Sequence, residues 1–366
     1  MAEPADKTNL NYADYLQLSR LLSAQAPESN RRGRPAHDEM LFIVVHQAYE
    51  LWFKQILHEL DRIQADFGGA VVEDEHLGRI VHGLDRINEI LKLLIQQLEV
   101  LETMTPLDFL DFRDYLFPAS GFQSAQFRLI EVRLGLSRSA RLDYAGKRYD
   151  EILADEERRR VEQAERGPKL IDQLDRWLSR TPFVNRPDYD FSLEYRKAVK
   201  QMLEDDARRL RANEAMQPQQ REAEAARIEA SLAEFQAIFA PAAAEPSPWR
   251  MSRAAVQAAL FITVYRDRPV LQQPFRLLAA LMNVEELLTL WRYRHALMVQ
   301  RMIGVKIGTG GSSGHEYLRD TAARHKIFSD LFRLSTYLIP RSRLPALPRE
   351  LEDAMGFSYA ARQPAR

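Results

Sequence analysis

The 366-residue sequence predicts an all-α fold: a helical bundle carrying a peripheral, highly charged helical insert. Three observations predict it. Apolar residues recur at spacings of three and four through most of the chain, the period of one buried helix face. No run of alternating β-branched residues bounded by turn dipeptides stands out, so strand signals are scarce. Hydrophobic residues make up 46% of the chain, which places it among globular proteins with an ample core. The whole of 1–366 reads as a single domain.

Taken in order, helical periodicity or helix-rich composition first covers Glu39–Phe67, Asp74–Thr103 and Phe122–Leu136. In the first of these, Phe42, Val45, Tyr49, Phe53, Ile56, Leu60 and Ile63 form one apolar face. The middle of the chain differs. Phe191–Ala212 and Gln220–Phe239 are helical in pattern, but Asp155–Arg166 and Glu204–Glu229 are highly charged and free of aromatic residues. They read as solvated helix faces laced with i,i+4 pairs. Ala240–Trp249, with Pro241, Pro246 and Pro248, reads as a loop returning to the core. Residues at roughly 150–250 are therefore expected to form the peripheral insert, and Arg253–Tyr265, Gln273–Ile303 and Tyr317–Leu338 to complete the main bundle.

The bulk numbers exclude several functions. Lys and Arg total 51 and Asp and Glu total 52, so no strong overall field exists and no nucleic-acid partner is expected. The chain has no cysteine. Disulfides, zinc–thiolate sites, cysteine-ligated iron–sulfur clusters, covalently attached c-type haem and cysteine nucleophiles are excluded with it. The opening MAEPADKTNLNYADY lacks a basic flank followed by an apolar stretch, and the apolar run Met40–Val45 is too short to span a bilayer. A cytoplasmic protein with no membrane association is expected.

Three features carry candidate chemistry. His46 borders the apolar face of the first long helix, and His295 falls inside a stripe of Leu288, Trp291, Met298 and Met302. A histidine on an apolar face is ordinarily a satisfied core residue. Two of them in two aromatic-bearing helices support a joint reading, in which one imidazole is an axial ligand to a non-covalently held haem iron and the other meets a ligand or substrate. Arg113 sits among Phe109, Phe112, Tyr115 and Phe117, with Asp108, Asp111 and Asp114 nearby. It reads either as an internal ion pair or as a bidentate grip on a substrate carboxylate. Phe109 lies one turn before it, and Ala119–Ser120–Gly121 makes a small-residue turn after Pro118. Finally, GTGGSSG (Gly308–Gly314) holds four of the chain's fifteen glycines. It lacks the Gly-Lys-Ser/Thr of a phosphate-binding loop and follows a helix rather than a strand. A loop with bare amides and the Thr309, Ser312 and Ser313 hydroxyls suits closure over a polar ligand group.

These segments resemble a known family. HDEMLFIVVHQAYELWFKQILHELD (His37–Asp61), DFRDYLFPASGFQSAQFRLIE (Asp111–Glu131) and WRYRHALMVQRMIGVKIGTGGSSGHEYLRDTA (Trp291–Ala322) are similar to the signature blocks of the tryptophan 2,3-dioxygenases, as are LSTYLIPR (Leu334–Arg341) and YADYLQLSRLLSAQ (Tyr12–Gln25). The likeness covers nearly the whole chain and is weakest in the charged insert. It implies an all-α homotetramer with one non-covalent haem b per subunit. It also implies addition of both atoms of O2 across the indole C2–C3 bond of L-tryptophan to give N-formyl-L-kynurenine, the first step of the kynurenine pathway. On the matching positions, His295 is the axial ligand and His46 the distal histidine that meets the indole N–H. Arg113 takes the substrate carboxylate, and Thr309 contacts the ammonium and carboxylate. Phe42, Phe109 and Ser120 line the pocket. Tyr12, Tyr15 and Leu16 reach from a neighbouring subunit. After GGSSG the family commonly has tyrosine where this chain has His315, which bears on lid packing and substrate affinity. A related haem dioxygenase for another indole, and a haem-binding sensor without turnover, stay open as alternatives.

Overall fold

The computed structural model describes residues 10–69, 71–142, 148–239, 249–304 and 314–357. Three single-turn helices, α1 (Tyr12–Tyr15), α2 (Leu18–Leu21) and α3 (Glu28–Arg31), lead into the long helices α4 (Glu39–Phe67) and α5 (Asp74–Leu101). Then come α6 (Pro106–Arg113), α7 (Ala125–Leu134), α8 (Asp155–Arg166) and α9 (Leu170–Leu178). A small antiparallel hairpin follows, β1 (Asn185–Arg186) and β2 (Tyr189–Asp190), with Asn185 opposite Asp190. The rest is α10 (Phe191–Arg211), α11 (Pro218–Ala237), α12 (Arg253–Val264), α13 (Pro269–Ile303), α14 (Gly314–Arg324), α15 (Ser329–Arg333) and α16 (Arg349–Ala354). The predicted all-α class holds, since the hairpin supplies the only strands among the described residues.

Helix ends are set by local chemistry. Thr105 and Asp108 form a capping box, Asp108 N–H donating to the threonine hydroxyl at 3.3 Å and Thr105 N–H to the carboxylate at 2.9 Å, with Pro106 opening α6. Ser124 accepts from Phe127 N–H at 3.2 Å and starts α7. Gly135 ends α7 at φ +118°, a backbone state that favours glycine, and a side chain there would also run into Ile171.

The core is centred on α5, which packs on both α4 and α13. Leu60 and Ile63 of α4, Ile80 and Leu84 of α5, and Leu277 and Leu281 of α13 are fully buried. The predicted face of α4 is the buried one, except that Phe42 at its first turn is only half-buried. α7 packs on α4 and α8, and α14 on α13. In the middle region, α8 buries Val161 while Asp155, Glu156, Arg159, Arg160 and Arg166 face outward, and α9 sends Leu170, Ile171, Leu174 and Leu178 into the main core. α10 and α11 pack on each other, clasped by Arg211 between Glu222 and Glu229. Among the described residues no helix is long and apolar enough to cross a membrane.

Two predicted helices are interrupted. Phe122–Leu136 gains its α-helix only at Ala125, because Ser120 and Gln123 cap a 3-10 turn at Gly121–Gln123 first. Tyr317–Leu338 splits after Arg324. There the buried Glu285 carboxylate accepts the N–H groups of Ile327 at 2.7 Å and Phe328 at 2.9 Å, drawing both amides out of the helical ladder.

Candidate functional site

Side chains from α4, α5, α6, α7, α13 and α14 enclose a cavity of about 290 Å³. The structure brings Phe42, His46, Phe109, Arg113, Ser120 and His295 together on its walls. Gly308–Ser313, Thr309 among them, and the side chain of His315 lie outside the described residues. Tyr12, Tyr15 and Leu16 stand 74%, 70% and 41% exposed on α1 and its C-terminal end, away from this chain's own cavity.

His46 is placed by the first turns of α4. Its Nδ1 lies 2.7 Å from the Phe42 carbonyl, and a carbonyl oxygen only accepts, so Nδ1 carries the proton. The ring also packs on Phe42 at 4.1 Å between centroids. Burial lowers the His46 pKa below the ordinary histidine value, against the raising effects of that hydrogen bond and of Glu50. The result is a neutral imidazole whose Nε2 is an acceptor.

His295 is held by aromatic packing. Trp291, one turn earlier on α13, stacks on it at 5.1 Å and 10° between planes, and Trp291 is itself packed against Tyr49 and Phe127. The Nδ1 atom is buried without a hydrogen-bond partner. Burial, and secondarily His46, push its pKa down to about 4. A neutral imidazole in an apolar wall keeps a lone pair for a metal, which is the form a ligand must take. The neighbouring lining, Leu98, Leu101 and Met104 on one side and Met298 and Met302 on the other, is apolar and suits a flat hydrophobic cofactor.

Phe109 stacks on Phe42 at 5.7 Å and meets Phe112 edge-on at 5.4 Å, so α6 and α4 share one aromatic wall. Arg113 follows one turn after Phe109 on that wall, mostly buried, with the exposed Asp114 carboxylate at 3.8 Å. Ser120 accepts from Phe122 N–H at 3.4 Å and gives its own N–H to Gln123 at 3.0 Å, which fixes the turn.

A second, polar group of residues shares the cavity. Glu131 on α7 is buried and accepts from Arg141 at 2.7 Å, Arg292 at 2.9 Å and Arg128 at 3.3 Å, with His325 Nδ1 at 3.4 Å. Burial alone would raise its pKa, but Arg141, the His325 hydrogen bond, Arg128 and Arg292 together hold the carboxyl well below the usual range.

A family model described as Tryptophan 2,3-dioxygenase matches residues 2–338. A protein of Bdellovibrio bacteriovorus named Tryptophan 2,3-dioxygenase is 48% identical over 354 residues, covering 96% of this chain and 99% of its own length. The chain belongs to the tryptophan 2,3-dioxygenase family. Other members of that name are 45% identical in Alteromonas mediterranea, over 94% of this chain and 97% of theirs, and 43% identical in Dictyostelium discoideum, over 98% and 91%. The segment matched to the family takes in every cavity-lining residue named above and stops before α16.

Within this tryptophan 2,3-dioxygenase family chain, the Glu131 cluster is what sequence reading did not single out. Arg128, Glu131 and Arg292 lie in the blocks that carry the resemblance, but a charge every third or fourth position looks like a solvated face. The available signal was contextual: FRLIEVRL buries Leu129, Ile130 and Val132 as well, which leaves Arg128 and Glu131 no outer face, while Arg133 reaches the exposed Asp61. Arg294 and Arg301 on α13 do point away from the cavity. Arg294 reaches Glu99 at 3.7 Å and Glu102 at 3.6 Å, and Arg301 is exposed.

Proposed function

We propose that this chain is a haem-dependent dioxygenase that adds both atoms of O2 across the indole C2–C3 bond of L-tryptophan, giving N-formyl-L-kynurenine. The observation that carries the reading is one cavity holding a neutral, metal-competent His295, an acceptor at His46 and a guanidinium at Arg113. Haem b would be held non-covalently, by the His295 imidazole as ligand to its iron and by the Met and Leu side chains of the cavity lining. When bound, its iron supplies the spin-allowed route to oxygen chemistry that side chains lack.

The chain's own residues orient the substrate. His46 Nε2 accepts the indole N–H, since Nδ1 is committed to the Phe42 carbonyl. Phe42 and Phe109 flank the indole with their stacked rings. Arg113 pairs with the α-carboxylate in a mostly dry setting, where a charge-assisted bidentate contact is strong. Ser120 fixes the turn beside the amino-acid end, and Thr309 in the glycine loop contacts the ammonium and carboxylate on closing. Fixing the ring in this way makes proximity and orientation a large part of the rate gain. No strong base is required of His46, whose lowered pKa suits an acceptor that stays neutral.

The exposed Tyr12, Tyr15 and Leu16 fit insertion into a neighbouring subunit's cavity, which makes a homotetramer part of the site. A cytoplasmic location goes with this reading. The peripheral insert at roughly 150–250 is a region of the same single domain rather than a second functional unit. One experiment tests the whole reading. The protein is reconstituted with haem, reduced, and given L-tryptophan in air while the visible spectrum and the near-ultraviolet band of the product are followed. A Soret band with product growth is expected. A Soret band without product would favour another indole substrate or a sensor, and no bound haem would return His295 to the core.

A further inference from the structure

The Glu131 cluster is over-supplied with cations. Among the described residues, Arg128, Arg141 and Arg292 share the single carboxylate of Glu131, which leaves a surplus of two positive charges, all on side chains no more than 6% exposed. Burial lowers the pKa of His325, so it adds no further fixed charge. The nearby acids do not offset the surplus. Asp150 is engaged by Arg138 and Arg148, and Glu165 accepts the Tyr149 hydroxyl and lies 3.8 Å from Arg138. Donors are left over too: Nε and one terminal nitrogen of Arg141 are buried without partners. A buried guanidinium surplus is strongly unfavourable unless an anion answers it.

The cluster opens on the cavity, since Arg128, Glu131, Arg292 and His325 are all part of its wall. Of its lining residues, α7 and α14 supply the polar Arg128, Glu131, Tyr317 and Thr321 alongside Phe127 and Leu318, whereas those from α5, Leu98 and Leu101, are apolar. Of the three guanidinium groups Arg128 has the longest contact with Glu131, at 3.3 Å against 2.7 and 2.9 Å, and Arg141 and Arg292 satisfy that carboxylate without it. Arg141 is further committed to the face of Tyr149, 4.1 Å from the ring centroid against 5.9 Å for Arg128.

We propose that this cluster is the anion-binding edge of the cofactor site, with Arg128 turning from Glu131 to a carboxylate of the porphyrin. The inference rests on the haem reading above and adds to it. Haem b carries two carboxylates on one edge and is otherwise apolar, which matches both the surplus of two charges and the split between polar and apolar walls. Glu131 is then a positioning residue that holds Arg141 and Arg292 in place while Arg128 is free to exchange partners.

The test changes the ligand as well as the protein. The full chain is loaded with haem or with haem dimethyl ester, whose carboxylates are blocked, and loss of the Soret band to excess apomyoglobin is timed. The wild-type protein should release the ester at least about tenfold faster than haem, the worth of a charge-assisted contact. Arg128→Gln should release haem at a rate near that of the ester, and Arg128→Lys should retain part of the difference. Equal release of haem and ester by the wild type would overturn the proposal while leaving the haem reading intact, and that comparison needs no substitution to fold. An Arg128→Gln protein that keeps the full wild-type difference would overturn it as well. A wild-type chain that takes up neither ligand would remove the haem reading on which it stands.

Discussion

Replacing Glu131 with glutamine tests whether the buried cluster stabilises the fold by its charge. The carboxylate is 1% exposed and faces guanidinium nitrogens at 2.7, 2.9 and 3.3 Å. Glutamine fits the space and keeps one acceptor, but it strands three buried cations. Removing one partner of a buried ion pair costs about 3–5 kcal/mol. Unfolding entropy of about 2.1 cal/mol/K per residue puts the fall in Tm for a chain of this size at about 4–6 °C. The pH dependence gives the second reading. The folded carboxyl is held well below its usual range, so its ionisation contributes stability above the unfolded value of about 4.3 and loses it as pH falls through the lower folded value. Thermal scans of both proteins, at fixed protein and haem concentration, should therefore show the full gap at pH 7 and a shrinking gap below about pH 4. Equal Tm values at pH 7, or a gap that stays constant into acid, would refute the reasoning.

The other predictions concern the cavity. His46→Ala should lower kcat/KM by about tenfold, the worth of one buried hydrogen bond to substrate, and still show a bound Soret band; complete haem loss would sink the acceptor role. His295→Ala should lose the normal ferrous haem spectrum, and an unchanged spectrum would rule out axial ligation. Arg113→Ala should raise KM for L-tryptophan more than about a hundredfold, because a desolvated charge pair is broken, while leaving turnover of tryptamine, which lacks the carboxylate, nearly unchanged. An unaltered KM would return Arg113 to a structural ion pair.

The sequence was most legible where one physical pressure acts alone. The α4 stripe from Val45 to Ile63 is buried as its three-and-four spacing requires, and the Glu39–Phe67 boundaries coincide with the helix. Legibility failed where a distant side chain competes for backbone groups. Nothing local in Tyr317–Leu338 announces that Glu285, on another helix, will capture the Ile327 and Phe328 amides and break the run. The same limit hid the Glu131 cluster, whose members are spread over α7, the segment after it, α13 and the turn after α14.

That distribution bears on how the site is built. α13 carries His295 and, one turn earlier, Arg292, so the metal-competent imidazole and an arm of the charge cluster move as one rigid body. Arg292 donates both to Glu131 on α7 and to the His325 carbonyl at the foot of α14, the helix entered directly from the glycine loop. Glu285, on α13 as well, fixes the next two amides of that turn. Helix α13 and the first turn after α14 are thus tied to one another through buried polar contacts. A chain that must hold a metal ligand still, the role proposed above for His295, is served by such a charge-braced helix pair.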